Sequence, residues 1–244
     1  MTEIPKPRPV FIAALKREVA PLLSSTVLGE EWKMETAPGE DNIHVYSTSH
    51  AVLAFAGMGP QRAALAIDSA LALGPASELV SIGWAGSCSA RFKVGDVIHP
   101  TIIIDAKTGE RFFITEPVTT DLAETLVTVA APVGTVEKER LAVTYYSDAA
   151  DMEAATVARM AVARELPFRA IKAISDDVDF DLPDLSRFMT PDGNIREAAY
   201  GFHIAFHPSL WKPVMIIARG SKLASEQLRV AVEAHIQQDR DRKA

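Results

Sequence analysis

The chain reads as an α/β protein, a single domain in which a twisted β-sheet lies between two layers of helices. Three observations predict this class. Apolar runs of strand length alternate with runs of helical length and period. Predicted strands give way directly to glycine turns or helix starts, the connection typical of open α/β sheets. The 244 residues, 48% apolar and 23% charged, are enough to bury one sizeable core. The expected boundaries are an extended tail over residues 1–9 and one domain over 10–244, with an apolar helical segment from about residue 194.

Taken in order, residues 10–15 are an apolar run of strand length, and residues 16–23 open a turn or helix directly after it. Glu18 therefore sits just past a strand end, where spacing alone makes it a solvated helix acid. Residues 42–47 and 51–55 read as two strands joined by a short turn. Ala56-Gly57-Met58-Gly59-Pro60 breaks the second strand before a helix over residues 61–73, which Gly74-Pro75 stops. A glycine loop leading into a helix N-terminus suits an anion, and equally suits a plain turn needing positive φ. Arg62 lies in that helix's first turn.

Residues 78–82 are a buried-type strand followed by the loop Gly83-Trp84-Ala85-Gly86-Ser87. Val94-Gly95-Asp96 leads into a strand through residue 104, with Asp96 as a turn acid. A strand over 111–114, a helix over 121–131 and a strand near 133–136 are expected next. Tyr145 and Tyr146 read as core aromatics more readily than as groups flanking a ligand. A helix from residue 152 to 166, a break at Pro167 and a strand from 168 to 174 complete the predicted sheet. This unit places Glu153 at a helix start and Asp176 past a strand's carboxyl end, so the two acids meet in one pocket. Three helices over 194–207, 208–219 and 221–239, separated by Pro208 and Gly220, close the chain.

Composition excludes several classes. A net charge of −7 without clustered Lys and Arg gives no field for nucleic acid. Cys88 is the single cysteine, so no internal disulfide forms and a reducing, cytoplasmic compartment is expected. No run of 18 uncharged apolar residues or signal-type core is present. The acidic loop over 177–185 lacks the spacing and terminal Glu of a calcium loop, so no metal is expected. Neither glycine loop completes the G-x-G-x-x-G of dinucleotide binding, since Arg62 stands where the third glycine belongs.

Asp151-Met152-Glu153-Ala154-Ala155, followed by Ala173-Ile174-Ser175-Asp176-Asp177, resembles the nucleoside phosphorylase and nucleosidase superfamily, including its methylthioadenosine/S-adenosylhomocysteine nucleosidase type. The resemblance spans roughly residues 10–177 and implies a mixed sheet and cleavage of the N-glycosidic bond of a purine nucleoside. It gives Glu153 the ribose hydroxyls and Asp176 the proton at purine N7, with Met152 and Ser175 beside them. Ala14 and Glu18-Val19 resemble the element whose Glu activates water, with Lys16 and Arg17 in place of acids common there. Gly57 and Gly59 then line the pentose, and Trp84, Ala85 and Gly86 the base and nucleophile side. Trp84 stands where the nucleosidases often carry Ser. The acceptor stays open between water and inorganic phosphate, for which Arg62, Lys172 and Arg17 are the candidate ligands. No other cofactor is implied; a homo-oligomer, most simply a dimer, is.

Residues 188–193, Phe-Met-Thr-Pro-Asp-Gly, resemble the hopanoid-associated branch, which removes adenine from adenosylhopane. The aromatics and aliphatics of residues 198–218 suit burial against the core, an apolar channel for a bulky 5′ substituent floored by Trp84 and Met152, or a peripheral membrane surface. A non-catalytic nucleoside-binding protein is the competing reading of another class.

Overall fold

In the computed structural model, which describes residues 6–36, 42–114, 123–181, 186–188, 190 and 196–243, the first apolar run shows why two helical layers form. Strand β1 (Arg8–Ala13) alternates its side chains between faces. Val10 and Ile12 pack with Ala63, Ala66, Ile67, Val157 and Ala161 on one side. Phe11 and Ala13 pack with Val19, Leu22, Leu228 and Val232 on the other. A strand buried on both faces needs helices on both faces.

The chain continues through α1 (Lys16–Leu23), the short strands β2 (Thr26–Val27) and β3 (Glu30–Glu31), β4 (Lys33–Glu35), β5 (His44–Ser47), β6 (Val52–Phe55) and α2 (Pro60–Leu71). Next come β7 (Ala76–Ser87), β8 (Val97–Ile98), β9 (Ile102–Asp105), β10 (Arg111–Phe113), β11 (Thr125–Thr128) and α3 (Thr135–Tyr145). Then follow β12 (Ala149–Asp151), α4 (Ala154–Val162), β13 (Phe168–Asp176), α5 (Glu197–Ala205) and the long α6 (Trp211–Lys243). One mixed sheet runs in the order β10-β9-β11-β12-β7-β1-β6-β5-β4, with β13 on β7 and β8 on β13, while β2 and β3 form a separate hairpin. β1 is parallel to both β6 and β7, and β13 is parallel to β7. Their carboxyl ends therefore open at the same edge. No helix among the described residues is long and apolar enough to cross a membrane.

Several expected elements differ. Strand β1 starts at Arg8, inside the expected tail. The loop expected over residues 83–87 is the second half of β7, held by β13 on one side and, at Gly86 and Ser87, by β12. The expected helix over 121–131 is instead strand β11, whose four residues are all buried between β9 and β12; residues 121 and 122 lie outside the described residues. The expected strand near 133–136 begins helix α3. A short apolar run fits either a buried strand or a buried helix segment, and sheet pairing decides. Tyr146 is exposed and Tyr145 packs at the edge of the β9–β11 core. The helix expected to end at Gly220 runs straight through it: a Cβ there would lie 2.4 Å from the Ser175 carbonyl oxygen. Glycine here admits close contact between α6 and the end of β13 rather than ending a helix. Asp96 caps its turn as expected, accepting the Lys93 N–H at 2.7 Å.

Candidate active site

At the shared edge of the sheet lies a cavity of about 680 Å³. Its inner wall holds Glu18, Asp151, Glu153, Ser175 and Asp176 with Trp84, Ala85, Gly86 and Met152; its outer wall is formed by Tyr200, Gly201, Ile204, Val214, Ile217 and Ala218 of α5 and α6. Glu18, Glu153 and Asp176 are 7%, 8% and 5% exposed, so the three acids expected from the sequence converge on one desolvated wall.

Glu18 is the third residue of α1, and its Oε2 accepts the N–H groups of Ala14 and Leu15, each at 3.0 Å. That capping pattern turns the carboxylate back over the strand end instead of outward to solvent. Gly83, with φ of 136°, makes room for it; a Cβ there would stand 3.1 Å from Glu18 Oε2. Burial pushes the Glu18 carboxyl above its usual range, against the opposing pull of the Leu15 N–H and the Lys172 charge.

Glu153 precedes α4, and its Oε1 accepts the Gly59 N–H at 2.7 Å. The glycine loop thus positions Glu153 through its backbone. Gly57 and Gly59 themselves lie off the cavity wall, where Met58 stands instead. Burial and, after it, the neighbouring Asp151 charge raise the Glu153 carboxyl to about 8. Asp151 accepts the Thr128 hydroxyl at 2.7 Å and the Ala154 N–H at 2.9 Å, tying the end of β12 to β11 and to the start of α4.

Two buried lysines neutralise this wall. Lys172 Nζ lies 2.9 Å from Asp151 Oδ2. Lys138 Nζ lies 2.5 Å from Asp176 Oδ2, 2.6 Å from the Asp177 carbonyl and 3.1 Å from the Phe180 carbonyl, so its three donors are all engaged. Ser175 Oγ donates to the other Asp176 oxygen at 2.7 Å. A Cβ on Gly86 would sit 2.9 Å from Asp176 Oδ2, so that glycine, like Gly83, makes room for a carboxylate.

Trp84 fills part of the wall, its indole N–H donating to Ser225 Oγ at 3.0 Å and the Arg17 guanidinium standing 5.3 Å from its ring centroid. Arg17 lines the cavity, whereas Arg62 and Lys172 do not. Arg62 Nε donates to the Ala56 carbonyl at 2.6 Å and so braces the glycine loop. Ser87 turns away, donating to the Ser89 carbonyl at 2.7 Å. Burial pushes the Cys88 thiol up to about 11, which makes it a poor nucleophile.

Sequence reasoning missed Lys138 and gave Asp151 no role. Glu137-Lys138-Glu139-Arg140 has the look of a solvated charge run, and nothing local marks the second residue as fully buried.

The sheet and its edge define an α/β protein with a pocket that is acidic at the strand ends and apolar toward the carboxyl-terminal helices. The chain belongs to the phosphorylase superfamily, whose family model matches residues 8–132 and 124–199. Among solved structures it is similar to the 5′-methylthioadenosine/S-adenosylhomocysteine nucleosidase of Neisseria meningitidis in complex with methylthio-immucillin-A (18% identity, 95% of this chain and 100% of that one, TM-score 0.69). It is also similar to a Helicobacter pylori MTAN mutant with 5′-methylthioadenosine in the active site (14%, 94% and 99%, 0.65). A third is futalosine hydrolase from Helicobacter pylori (15%, 93% and 98%, 0.62). At these identities the likeness is one of fold. No curated protein matches in sequence.

Proposed function

We propose that this protein cleaves the N-glycosidic bond of an adenosine derivative carrying a large apolar 5′ substituent, of the adenosylhopane kind, with water as acceptor and adenine as product. The observation that carries this reading is the division of one cavity into an acidic inner wall and an apolar outer wall. A ribosyl-purine suits the first and an aliphatic 5′ group the second.

In this reading water adds to C1′, the C1′–N9 bond breaks, and its electron pair leaves with the purine, which takes a proton at N7 from the Asp176–Lys138 pair, the Lys138 ammonium supplying it through the Asp176 carboxylate. General acid assistance of that kind contributes roughly 10²- to 10⁴-fold. Lys138 and Ser175 also fix the two Asp176 oxygens. Glu18 takes the proton from water, a role suited by a carboxyl that burial raises above its usual range. Glu153 holds the ribose hydroxyls. Burial and the Asp151 charge raise its carboxyl to about 8, and positive charge growing on the sugar favours its ionised form. Met152 and Trp84 floor the sugar and the start of the 5′ group.

Water is preferred to phosphate on charge. A phosphate dianion would enter beside the Glu18 carboxyl, while the two buried lysines of this wall are already committed, Lys172 to Asp151 and Lys138 to Asp176. The fallback substrate is a 5′-methylthioadenosine-like nucleoside. Adenine release from adenosine, 5′-methylthioadenosine and a 5′-alkyl series, with and without phosphate, tests the reading. Each buried methylene is expected to add about 0.8 kcal/mol, close to fourfold in kcat/KM, without need of phosphate. A flat or falling series contradicts the apolar 5′ assignment, strict phosphate dependence contradicts water, and binding without turnover makes this a nucleoside-binding protein.

A further inference from the structure

The two helices that wall the cavity also present an apolar surface outward. Phe202 of α5 and Phe206 just after it are 70% and 68% exposed, and their rings pack together with centroids 4.8 Å apart. On α6, Trp211, Met215, Ile216 and Leu223 are between 45% and 54% exposed. At 100° per residue these four share one side of the helix with Lys212 and Arg219, both exposed, and with Lys222, which is exposed and also borders the cavity, whereas Val214, Ile217, Ala218 and Ser221 turn to the cavity. Gly220, Ala224 and Leu228 form a third side, packed into the protein. The indole N–H of Trp211 donates to the Ile204 carbonyl at 2.8 Å and so joins the two helices into one surface. Among the described residues, the other exposed large apolar ones include Met34, Phe113 and Val162 and, along α3, Val136, Val143 and Tyr146, without the basic residues interspersed on α6.

Charge is segregated the same way. Residues 196–223 contain Arg196, Lys212, Arg219 and Lys222 against the single acid Glu197, a net charge of +3, while the remainder of a chain of net charge −7 carries −10. Basic residues interspersed with Trp, Phe and aliphatic side chains are the pattern of a helix lying in the headgroup region of an anionic bilayer. A second copy of this chain docking through the same face about a two-fold axis would bring one +3 surface against another.

We propose that α5 and the first part of α6 form a docking surface for an anionic lipid bilayer, seating the cavity mouth where an apolar 5′ group passes from the bilayer to the acids. This inference rests on the proposed function for its purpose and on the surface alone for its test. Each apolar side chain that enters the bilayer strengthens partitioning by roughly tenfold or more, and each basic one by about fivefold.

Co-sedimentation of the full chain with phosphatidylglycerol vesicles and with neutral phosphatidylcholine vesicles, at low and high salt, measures it. Stronger, salt-sensitive partitioning to the anionic vesicles is expected. Phe206→Ser with Met215→Ser is expected to weaken it by about a hundredfold, and Lys212→Glu with Arg219→Glu to abolish the preference for anionic lipid. Neither double variant changes turnover of water-soluble 5′-methylthioadenosine, which also shows that each is folded. Failure of the wild type to bind, or equal binding to both vesicles, overturns the proposal. So does a dimer in solution that the same variants dissociate, because the surface is then covered by a second copy. Absence of turnover on any nucleoside contradicts the proposed function and leaves the vesicle result intact.

Discussion

At its inner end the cavity is walled by the carboxyl ends of β1, β7, β12 and β13; at its outer end it is walled by α5 and the first part of α6. The inner groups are held in place several times over. Glu18, Glu153 and Asp176 each accept hydrogen bonds from residues of other loops or helices, and glycines at 83 and 86 are shaped to their carboxylates. The outer wall is mostly apolar side chains on two helices; α6 is held to the protein by its core residues Ala224 and Leu228, by Gly220 against Ser175 and by Ser225 between Trp84 and the Arg17 carbonyl, and Trp211 ties it to α5. Fixed polar groups suit a step in which charge moves between defined atoms. An apolar wall suits selection by size and burial, with no atom needing a fixed place.

That contrast is sharpest at Asp176. Asp176→Asn is expected to lower kcat by roughly 10²- to 10⁴-fold with little change in KM, equally for short and long 5′ groups. Initial rates on two such substrates check it, and an unchanged kcat removes Asp176 from the chemistry. Next in size is Lys138→Met, which leaves the Asp176 charge buried beside an apolar neighbour and is expected to cost about 3–5 kcal/mol of stability, read from chemical denaturation. A loss below about 1 kcal/mol would mean that the ion pair does not organise the inner end.

Glu153→Gln comes third. With one carboxylate lost as a sugar ligand, kcat/KM is expected to fall about ten- to a hundredfold, and the preference for ribose over 2′-deoxyribose to shrink. Its effect on stability has a definite sign. Because the folded carboxyl titrates near 8, above the unfolded value of 4.5, the native state holds a proton that the unfolded chain has released. The contribution of Glu153 to wild-type stability therefore falls as pH rises from about 4.5 to 8. The variant is expected to gain on the wild type through that window. Melting curves at pH 5 and pH 8 with an identical difference between the two proteins would contradict it.

The two ends also differed in how far the sequence disclosed them. Asp176 was legible because it directly follows an apolar strand run, and a strand end in an α/β sheet is a place of fixed meaning; Glu153 was placed only at a helix start, and Glu18, a solvated acid by spacing alone, was singled out by the family resemblance. The lysines were harder to assign. Lys172 lies within β13, where only the pairing of β13 and of β12 with β7 shows that it meets Asp151, and Lys138 lies on a helix whose charge pattern points to solvent. The segment from 123 to 136 was misassigned because its short apolar runs carry no period long enough to separate strand from helix. Gly220 was misread as a stop because the carbonyl it accommodates, that of Ser175, is 45 residues away in sequence. The apolar character of residues 198–218 was visible, whereas its division into cavity wall and outward surface exists only once α6 is one continuous helix.

The central claim is that the two ends act independently, one on the bond and one on the 5′ group. Its most direct test is the dependence of kcat/KM on 5′-alkyl length, measured in the wild type and in Asp176→Asn. Groups that act separately contribute additively in free energy. Two parallel lines are therefore predicted, each rising close to fourfold per methylene and separated by a constant factor of roughly 10² to 10⁴. A flat wild-type line, or lines that converge as the chain lengthens, would contradict it.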